Sequence, residues 1–491
     1  MTDFLFELPE SKGSTLQARI QEMLVNTILA GHISPDTPLP SGRKLSLQLG
    51  VARNTVVLAY QHLVDNGFLI SRERSGYYVN PEILLGRSQA IHLKSEDAAE
   101  KAATQAPALR VRVYPSRERV IKKPADWQKY RYPFVYGQYD KELFPVADWR
   151  ECCRDATSIS SLHASAGDMV DRDNPELVDQ IQSKLLPRRG VWAKSDEILV
   201  TMGAQQAIFI AAQLLLDNRD TVGIENPGYT DARNIFHLFT DRIALFNVDR
   251  EGLIPDQRLN DCTCLYITPS HQFPTTVTMS KQRRIALLAL AEKSGLMLLE
   301  DDYECELNFR NNPTPALKSL DQSNRVIYIG SLSKTLAPGF RVGYIVASSE
   351  FIREARALRR LMIRHPPTNN QHIVAQFLKR GYHDALVRRL THLLQERWEK
   401  ISSVIDSRYP AEIHLPLFGG SSFWLQLQEE IDTRELLNRT RTKGVLFEPG
   451  NIFFSRGDSI PYNFLRLGFS SIAPERIPEG LGILAAAIGD Y

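Results

Sequence analysis

Few cysteines, no long apolar run and no excess of charge characterise this sequence, and each shortage excludes a class of protein. The five cysteines among 491 residues form no C-x-x-C pair and no Cys/His cluster with zinc spacing, which excludes an ordinary zinc site and fits a reducing compartment. The most apolar stretch, Ile285–Leu299, is interrupted by two charges and a glycine, so it cannot span a bilayer. A formal net charge of +2 excludes nucleic-acid binding that depends on a large overall charge. Any contact with nucleic acid must therefore come from the placement of individual charges.

The length and composition are those of a globular protein with several domains. A chain of 491 residues exceeds what one core ordinarily holds, and 43% hydrophobic with 24% charged residues is an ordinary globular balance. The opening residues Met1–Glu7 have no basic region followed by an apolar core. We therefore expect no secretory signal and a soluble, cytoplasmic protein.

The N-terminal part of the chain is predicted to form three helices and a β-hairpin. Apolar residues recur every four positions over Leu16–Ile28, Ser41 can cap a second helix, and Gly50 makes a tight turn. A third helix follows over 53–63, and Phe68–Val79 has the pattern of a short hairpin. This order is the winged helix-turn-helix layout, whose third helix enters the major groove of DNA.

Residues 15–79 also resemble the GntR family, through Leu39-Pro40-Ser41-x-Arg43-x-Leu45, Leu49-Gly50-Val51-x-Arg53-x-Thr55-Val56 and Ala59-Tyr60-x-x-Leu63. The resemblance implies binding to double-stranded DNA, with the start of the third helix at base edges and the hairpin at phosphates or the minor groove. The alternative is a protein-interaction module whose arginines are merely solvated. The candidate DNA-binding residues are Ser41, Arg43, Arg53, Asn54, Thr55, Arg72 and Arg74.

Residues 81–130 differ in character from both of their flanks. They hold an alanine-rich patch followed by several basic residues, without a stable apolar period, which predicts a flexible basic linker. The basic residues are Arg110, Arg112, Arg117, Arg119, Lys122 and Lys123. From about Tyr132, strands alternate with helices, which predicts a three-layer α/β domain with a largely parallel sheet and a smaller C-terminal α/β lobe. The predicted domains are therefore 1–80, 81–130 and 131–491.

One lysine of the large domain lies in the run Gly330-Ser331-Leu332-Ser333-Lys334-Thr335, directly after an apolar stretch. Arg341 follows seven residues later. A lysine that forms a Schiff base must lose its proton, and hydroxyl, N–H and guanidinium groups suit a phosphate. Ser331 and Lys334 also fit the S-x-x-K motif of penicillin-binding enzymes, but the S-D-N and K-T-G companions of that motif are absent from the sequence.

The run closely resembles the pyridoxal 5'-phosphate (PLP) lysine motif of fold-type-I aminotransferases. The resemblance implies a Schiff base on Lys334 and an acid that pairs with the pyridine nitrogen. We assign that acid to Asp301, with Glu300 and Asp302 as open alternatives. The candidate cofactor-binding residues are Gly203, Ala204, Gln205, Tyr229, Asp301, Tyr303, Ser331, Ser333 and Arg341.

Each of these residues has an expected contact. The turn 203–205 opens a helix whose free N–H groups suit the phosphate, and Tyr229 would stack on the ring. Tyr303 would bond the ring oxygen. The segment Thr268–Pro274 resembles the family's loop on the phenolic side of the ring, although Thr276 replaces the family's usual glycine.

Arg466 is a lone arginine in the apolar strand Phe464–Ser470, and a buried arginine needs an anion. The aminotransferase resemblance implies that this anion is the carboxylate of an amino-acid effector, held with bidentate geometry. An internal salt bridge to an acid of the protein is the alternative.

A GntR-type winged helix joined to a fold-type-I aminotransferase-like domain resembles the MocR/GabR family. That resemblance implies a homodimeric transcriptional regulator that binds promoter half-sites and senses a small amino compound through PLP held as an aldimine on Lys334. An active aminotransferase with a DNA-binding appendage is the main alternative, and a scaffold that has lost PLP is a weaker one. We predict no metal site.

Overall fold

Two compact units, Met1–Arg110 and Val111–Tyr491, make up the chain. A computed structural model describes residues 6–9, 13–84, 111, 113–138, 140–309, 314–408, 412–414, 419–455 and 460–490. Within this described part, none of the helices combines the length and hydropathy of a membrane span, and no group of three or more His, Cys, Asp or Glu side chains could hold a metal ion.

The first unit is a winged helix, as predicted. The Ser41 hydroxyl accepts a hydrogen bond from the backbone N–H of Lys44 at 3.2 Å and so caps the second helix, which ends at Gly50 in the left-handed conformation. Apolar faces of the three helices and the hairpin bury one core that includes Ile20, Leu45 and Val56. The elements are α1 (Leu16–Leu29), α2 (Gly42–Leu49), α3 (Arg53–Asp65), β1 (Leu69–Arg72) and β2 (Gly76–Val79).

The second unit is built on an eight-stranded sheet that is mostly parallel, as the alternation of strands and helices predicted. Its strand order is β4-β11-β10-β9-β8-β5-β6-β7, with parallel pairing from β10 through β9, β8 and β5 to β6. The strands are β4 (Ile198–Thr201), β5 (Val222–Asn226), β6 (Ile243–Asp249), β7 (Gly252–Leu253), β8 (Cys264–Ile267), β9 (Met297–Asp301), β10 (Val326–Ser331) and β11 (Gly343–Val346).

Helices cover both faces of this sheet. Alternate residues of the parallel strands are therefore buried in different apolar clusters. Ile327 and Ile329 pack on one side, whereas Tyr328 packs on the other. The helices are α4 (Val146–Ala156), α5 (Ile159–Ser165), α6 (Pro175–Gln180), α7 (Ala204–Leu215), α8 (Thr230–Phe236), α9 (Lys281–Ser294), α10 (Ser349–Ile363), α11 (Thr368–Lys379), α12 (Tyr382–Arg408), α13 (Thr433–Arg441) and α14 (Ile477–Gly489).

A smaller antiparallel sheet forms the C-terminal lobe, in the order β12-β13-β16-β15. In it, Arg466 stands directly opposite both Trp424 and Glu448 on the neighbouring strands. A short parallel pair joins β3 to β14, which directly precedes β15 in the chain. The strands are β3 (Tyr132–Pro133), β12 (Glu412–His414), β13 (Ser422–Gln426), β14 (Val445–Leu446), β15 (Glu448–Pro449) and β16 (Phe464–Gly468).

The last part of the segment 81–130, which was predicted as a linker, makes hydrogen bonds with the rest of the second unit. Residues 85–110 lie outside the described residues. Residues 113–138 are described, and in them the Arg119 guanidinium donates to the backbone oxygen of Asn451 at 2.6 Å. The basic composition of this segment therefore reflects specific contacts as well as exposure.

Candidate functional site

A cavity of about 420 Å³ opens at the carboxyl ends of the parallel strands, where open α/β sheets place ligands. Asp301 ends β9, Ser331 ends β10, and Thr268 follows β8 at this edge. The lobe closes the cavity from the other side with Glu448 and Arg466. The other lining residues are Ile121, Lys123, Tyr136, Gly137, Gln138, Ala204, Gln205, Tyr229, Asp231, Tyr266, Phe273, Tyr303, Ser333, Lys334, Pro338 and Arg341.

Lys334 lies in this cavity with its amine removed from bulk water. Its Nζ is 4.0 Å from the ring centroid of Tyr136, and a side chain at Gly137 would come within 3.0 Å of it. Desolvation lowers the pKa of Lys334 to about 8, against the opposing attraction of Glu304. About a tenth of the amine is therefore neutral at pH 7, far more than for a solvated lysine, and the neutral form is the nucleophile.

The structure separates the three neighbouring acids by their partners. Glu300 accepts the backbone N–H groups of Leu317 and Lys318 at 2.6 and 2.8 Å, which fixes a turn. Asp302 is paired with Arg189 at 2.7 Å and is buried in the scaffold. These two acids already have structural partners.

Asp301 differs from both neighbours because one of its oxygens is left over. Its Oδ2 accepts a hydrogen bond from the Tyr266 hydroxyl at 2.7 Å, whereas Oδ1 is buried without a partner among the described residues. Burial raises the pKa of Asp301 to about 7, with the Tyr266 hydrogen bond opposing the shift. A buried oxygen without a partner is costly, so a protonated ring nitrogen of a ligand suits this position.

The turn between β4 and α7 brings the Arg341 guanidinium to the N-terminus of α7, and both groups suit an anion. Gly203 has a φ of 83°, and a side chain there would lie 2.8 Å from Nη2 of Arg341. Only glycine therefore lets the guanidinium lie against the turn, where Nη2 donates to the backbone oxygen of Met202 at 2.9 Å. The helix N-terminus at Ala204 and Gln205 adds N–H groups to the same site.

Hydroxyl and aromatic side chains also line the cavity. Ser331 accepts the backbone N–H of Ser333 at 3.2 Å, which orders the turn before Lys334. Tyr229 and Tyr303 both contact the edge of Phe273, with centroids 5.0 and 5.8 Å apart. The cavity thus has flat apolar walls beside its polar ends.

Thr276 adopts a left-handed backbone conformation, which favours glycine. Its φ is 65°, in the left-handed region, and its backbone N–H donates to the Gln272 oxygen at 2.7 Å. The replacement therefore leaves the turn intact, with strain on the order of 1–2 kcal/mol for a residue that carries a Cβ.

Arg466 makes the internal ion pair that was the alternative interpretation, yet it keeps donors for a ligand. Its Nε donates to Glu448 Oε2 at 2.7 Å, and its guanidinium carbon lies 4.0 Å from the Tyr136 ring centroid and 4.3 Å from that of Phe273. Among the described residues, Arg466 has one hydrogen-bond partner, Glu448, and this hydrogen bond uses only Nε of Arg466. The two Nη groups remain for an anion in the cavity.

In the winged helix, the candidate DNA-binding residues lie mainly on the surface. Arg53 and Asn54 are exposed at the start of α3, where Thr55 is half-buried. Arg72 is exposed on the hairpin with its guanidinium 4.3 Å from the Tyr78 ring centroid. The remaining candidates Ser41, Arg43 and Arg74 are also exposed.

Several cavity residues were missed in the sequence. Tyr136, Glu448 and Lys123 belong to segments far from the lysine motif, and no local spacing links them to it. For Glu448 a signal was present, because a lone acid follows the apolar run Val445–Phe447. Tyr266 could also have been noticed as a polar aromatic near the end of a buried strand.

Comparison with known proteins agrees with both units. The family "Aminotransferase class I and II" matches residues 135–480, and "Bacterial regulatory proteins, gntR family" matches residues 16–79. Over 486 residues the chain is 41% identical to the HTH-type transcriptional regulator TauR of Rhodobacter capsulatus, a match that covers 98% of each chain. The chain belongs to the MocR/GabR family of transcriptional regulators.

Two further relatives extend this assignment of the MocR/GabR-type regulator. This chain is 29% identical to the probable rhizopine catabolism regulatory protein MocR of Rhizobium meliloti, and the match covers 96% of this chain and 93% of the relative. The α-aminoadipate aminotransferase LysN of Thermus thermophilus, solved with N-(5'-phosphopyridoxyl)-L-leucine, is 27% identical with a TM-score of 0.65, covering 81% and 99% of the two chains. The fold of the second unit is thus that of PLP-dependent aminotransferases.

The lowered pKa of Lys334 gives a testable pH dependence for the regulator. Because the neutral amine reacts, acylation of Lys334 by a small reagent should rise about 10-fold between pH 7 and pH 9 and then level off, as follows from a pKa of about 8. Peptide mass spectrometry at short reaction times measures this rate, corrected for the reagent's own hydrolysis. A rate that keeps rising steeply through about pH 10, as for a solvated lysine, would contradict the proposed environment.

Proposed function

We propose that this transcriptional regulator holds PLP on Lys334 and senses a small amine that carries an acid group. The observation that carries the proposal is the unpaired buried Oδ1 of Asp301 in the cavity that also contains the Lys334 amine. Asp301 would hold the proton of the pyridine nitrogen, which its two acidic neighbours are too engaged to do.

The remaining cofactor contacts follow from the chemistry of the lining residues. Arg341, the hydroxyls of Ser331 and Ser333, and the N–H groups at the start of α7 would hold the phosphate. Tyr229 would face the ring and Tyr303 its oxygen. When bound, PLP supplies an aldehyde carbon for which the Lys334 amine and an effector amine compete.

The effector end of the cavity favours an acid group. The Nη donors of Arg466 would bind a carboxylate or sulfonate, and the aromatic rings around the guanidinium exclude water and strengthen the contact. Exchange of the lysine for an effector amine changes the charge and the contacts inside the second unit. That change would bias a homodimer between states of different affinity for two promoter half-sites on the bacterial nucleoid.

Two kinds of amine probe, with and without an acid group, test the sensor. Bound PLP on the full-length chain is followed by its visible absorbance while β-alanine, 4-aminobutanoate or 2-aminoethanesulfonate is added, with propylamine as the probe without an acid group. We expect Arg466→Met to weaken the response to the acidic amines about 10- to 100-fold, since it loses a charge-assisted contact. The propylamine response should change less than about 2-fold. Equal losses for both kinds of probe would remove Arg466 from acid recognition, and a native chain that responds to no probe would contradict the sensor.

DNA recognition is tested with sites selected from a random pool of duplexes. If Arg72 contacts phosphate from the hairpin, Arg72→Ala should reduce the slope of log K against log salt by about one unit at every sequence. If Arg53 contacts a base edge, Arg53→Ala should instead cost roughly 1–3 kcal/mol and relax preference at one position of each half-site. Two variants with the same effect on slope and on preference would show that these assignments are wrong.

A further inference from the structure

The segment that precedes the aminotransferase-like domain contributes to the wall of the effector cavity. The Arg119 guanidinium donates to the backbone oxygens of Asn451 and Phe454 at 2.6 and 3.3 Å, and the Arg119 oxygen accepts from the Asn234 side chain at 2.8 Å. Residues 119–123, which we term the strap, are thereby tied to the loop that follows Glu448. This contact joins parts of the chain more than 300 residues apart.

Two side chains of the strap reach the cavity. Ile121 packs against the aromatic cluster of Phe273, Trp424 and Phe453, two of whose rings surround the Arg466 guanidinium. Lys123 lines the cavity mouth beside Glu448 and lies 5.7 Å from the Trp127 ring centroid. The adjacent Lys122 is exposed, as Lys123 is, but Lys122 does not line the cavity.

A further cation at this end of the cavity would strengthen the binding of an acid group beyond the contacts of the Arg466 Nη groups. Glu448 neutralises Arg466, because the two form a buried ion pair with a summed charge of zero. Lys123 lines the same cavity and adds one positive charge to the neutral Arg466–Glu448 pair, and this added charge attracts an anion. Partial desolvation lowers the pKa of Lys123, and the charge of Glu448 opposes that change. An acid group near Lys123 would favour its charged form in the same way.

We propose that Lys123 contacts the acid group of the effector together with Arg466, so that effector binding fixes the strap. This inference rests on the proposed sensor function. Lys123 is then a specificity-determining residue that selects acidic amines over neutral ones. Residues 85–118 connect the strap with the winged helix along the chain, so the strap is the part of the cavity wall that is nearest in sequence to the DNA-binding unit.

The test uses the full-length, PLP-loaded chain with the same acidic amines and propylamine. Lys123→Met removes the charge and keeps the length of the side chain, and Lys122→Met is the matched control. We expect Lys123→Met to weaken the response to the acidic amines about 5-fold or more, because a charge at the rim contributes on the order of 1 kcal/mol. The propylamine response and the Lys122→Met chain should stay within about 2-fold of native.

Hydrogen exchange measures whether the strap is fixed. An acidic amine should slow exchange in peptides that cover residues 113–127 of the native chain and of Lys122→Met, but not of Lys123→Met at equal occupancy. In one outcome, Arg466→Met lowers the affinity for the acidic amines while Lys123→Met responds to every probe as the native chain does. That result would refute the role of Lys123 and leave the proposed sensor function supported. If the Lys123→Met affinity falls but exchange of the strap never changes, the fixing of the strap is refuted. If no amine alters the native spectrum, both proposals fail.

Discussion

Removing a lysine amine from water is the constraint on which the candidate site depends. An ammonium group loses much of its solvation in such a position, and the cost appears as the lowered pKa of Lys334. Nearby acids limit the shift, since Glu304, Glu448 and Asp301 all favour the charged amine, whereas Arg466 opposes it. The balance leaves Lys334 able to react and still able to regain a proton near neutral pH.

The same constraint explains why the scaffold around the site carries so many buried ion pairs. Asp302 is held by Arg189, Asp173 by Arg359 at 2.5 Å, and Glu448 by Arg466. An unpaired buried charge would be expensive, so each pair fixes its strand or helix at one position. Against this background, Asp301 is notable because its second oxygen has no partner among the described residues. The unpaired oxygen therefore distinguishes Asp301, a candidate ligand-binding residue, from the acids that form structural ion pairs.

The sequence predicted features whose signals are local and missed those that depend on distant contacts. The helices of the first unit were predictable because apolar residues over Leu16–Ile28 keep one period, and the turn at Gly50 has its own residue preference. The lysine run and the acid at the end of β9 carry their chemistry within a few residues. The sequence could not rank Glu300, Asp301 and Asp302, because their roles depend on partners elsewhere in the fold.

Arg466 and the predicted linker show the same limit. A lone arginine in an apolar strand indicates an anion, but whether that anion is Glu448 or a ligand depends on the opposing strand, and the geometry here leaves donors for both. The linker's composition gives no sign that Arg119 reaches a loop near residue 451.

The identity of the lysine that holds the cofactor is the central claim, and covalent mapping tests it most directly. The full-length chain is treated with PLP, reduced with borohydride and digested, and the pyridoxyl group is located by mass spectrometry. We predict a single modified site at Lys334 and no modification of a Lys334→Ala chain under the same conditions. Modification of Lys281 or Lys318 instead, or an unchanged yield in Lys334→Ala, would contradict the account.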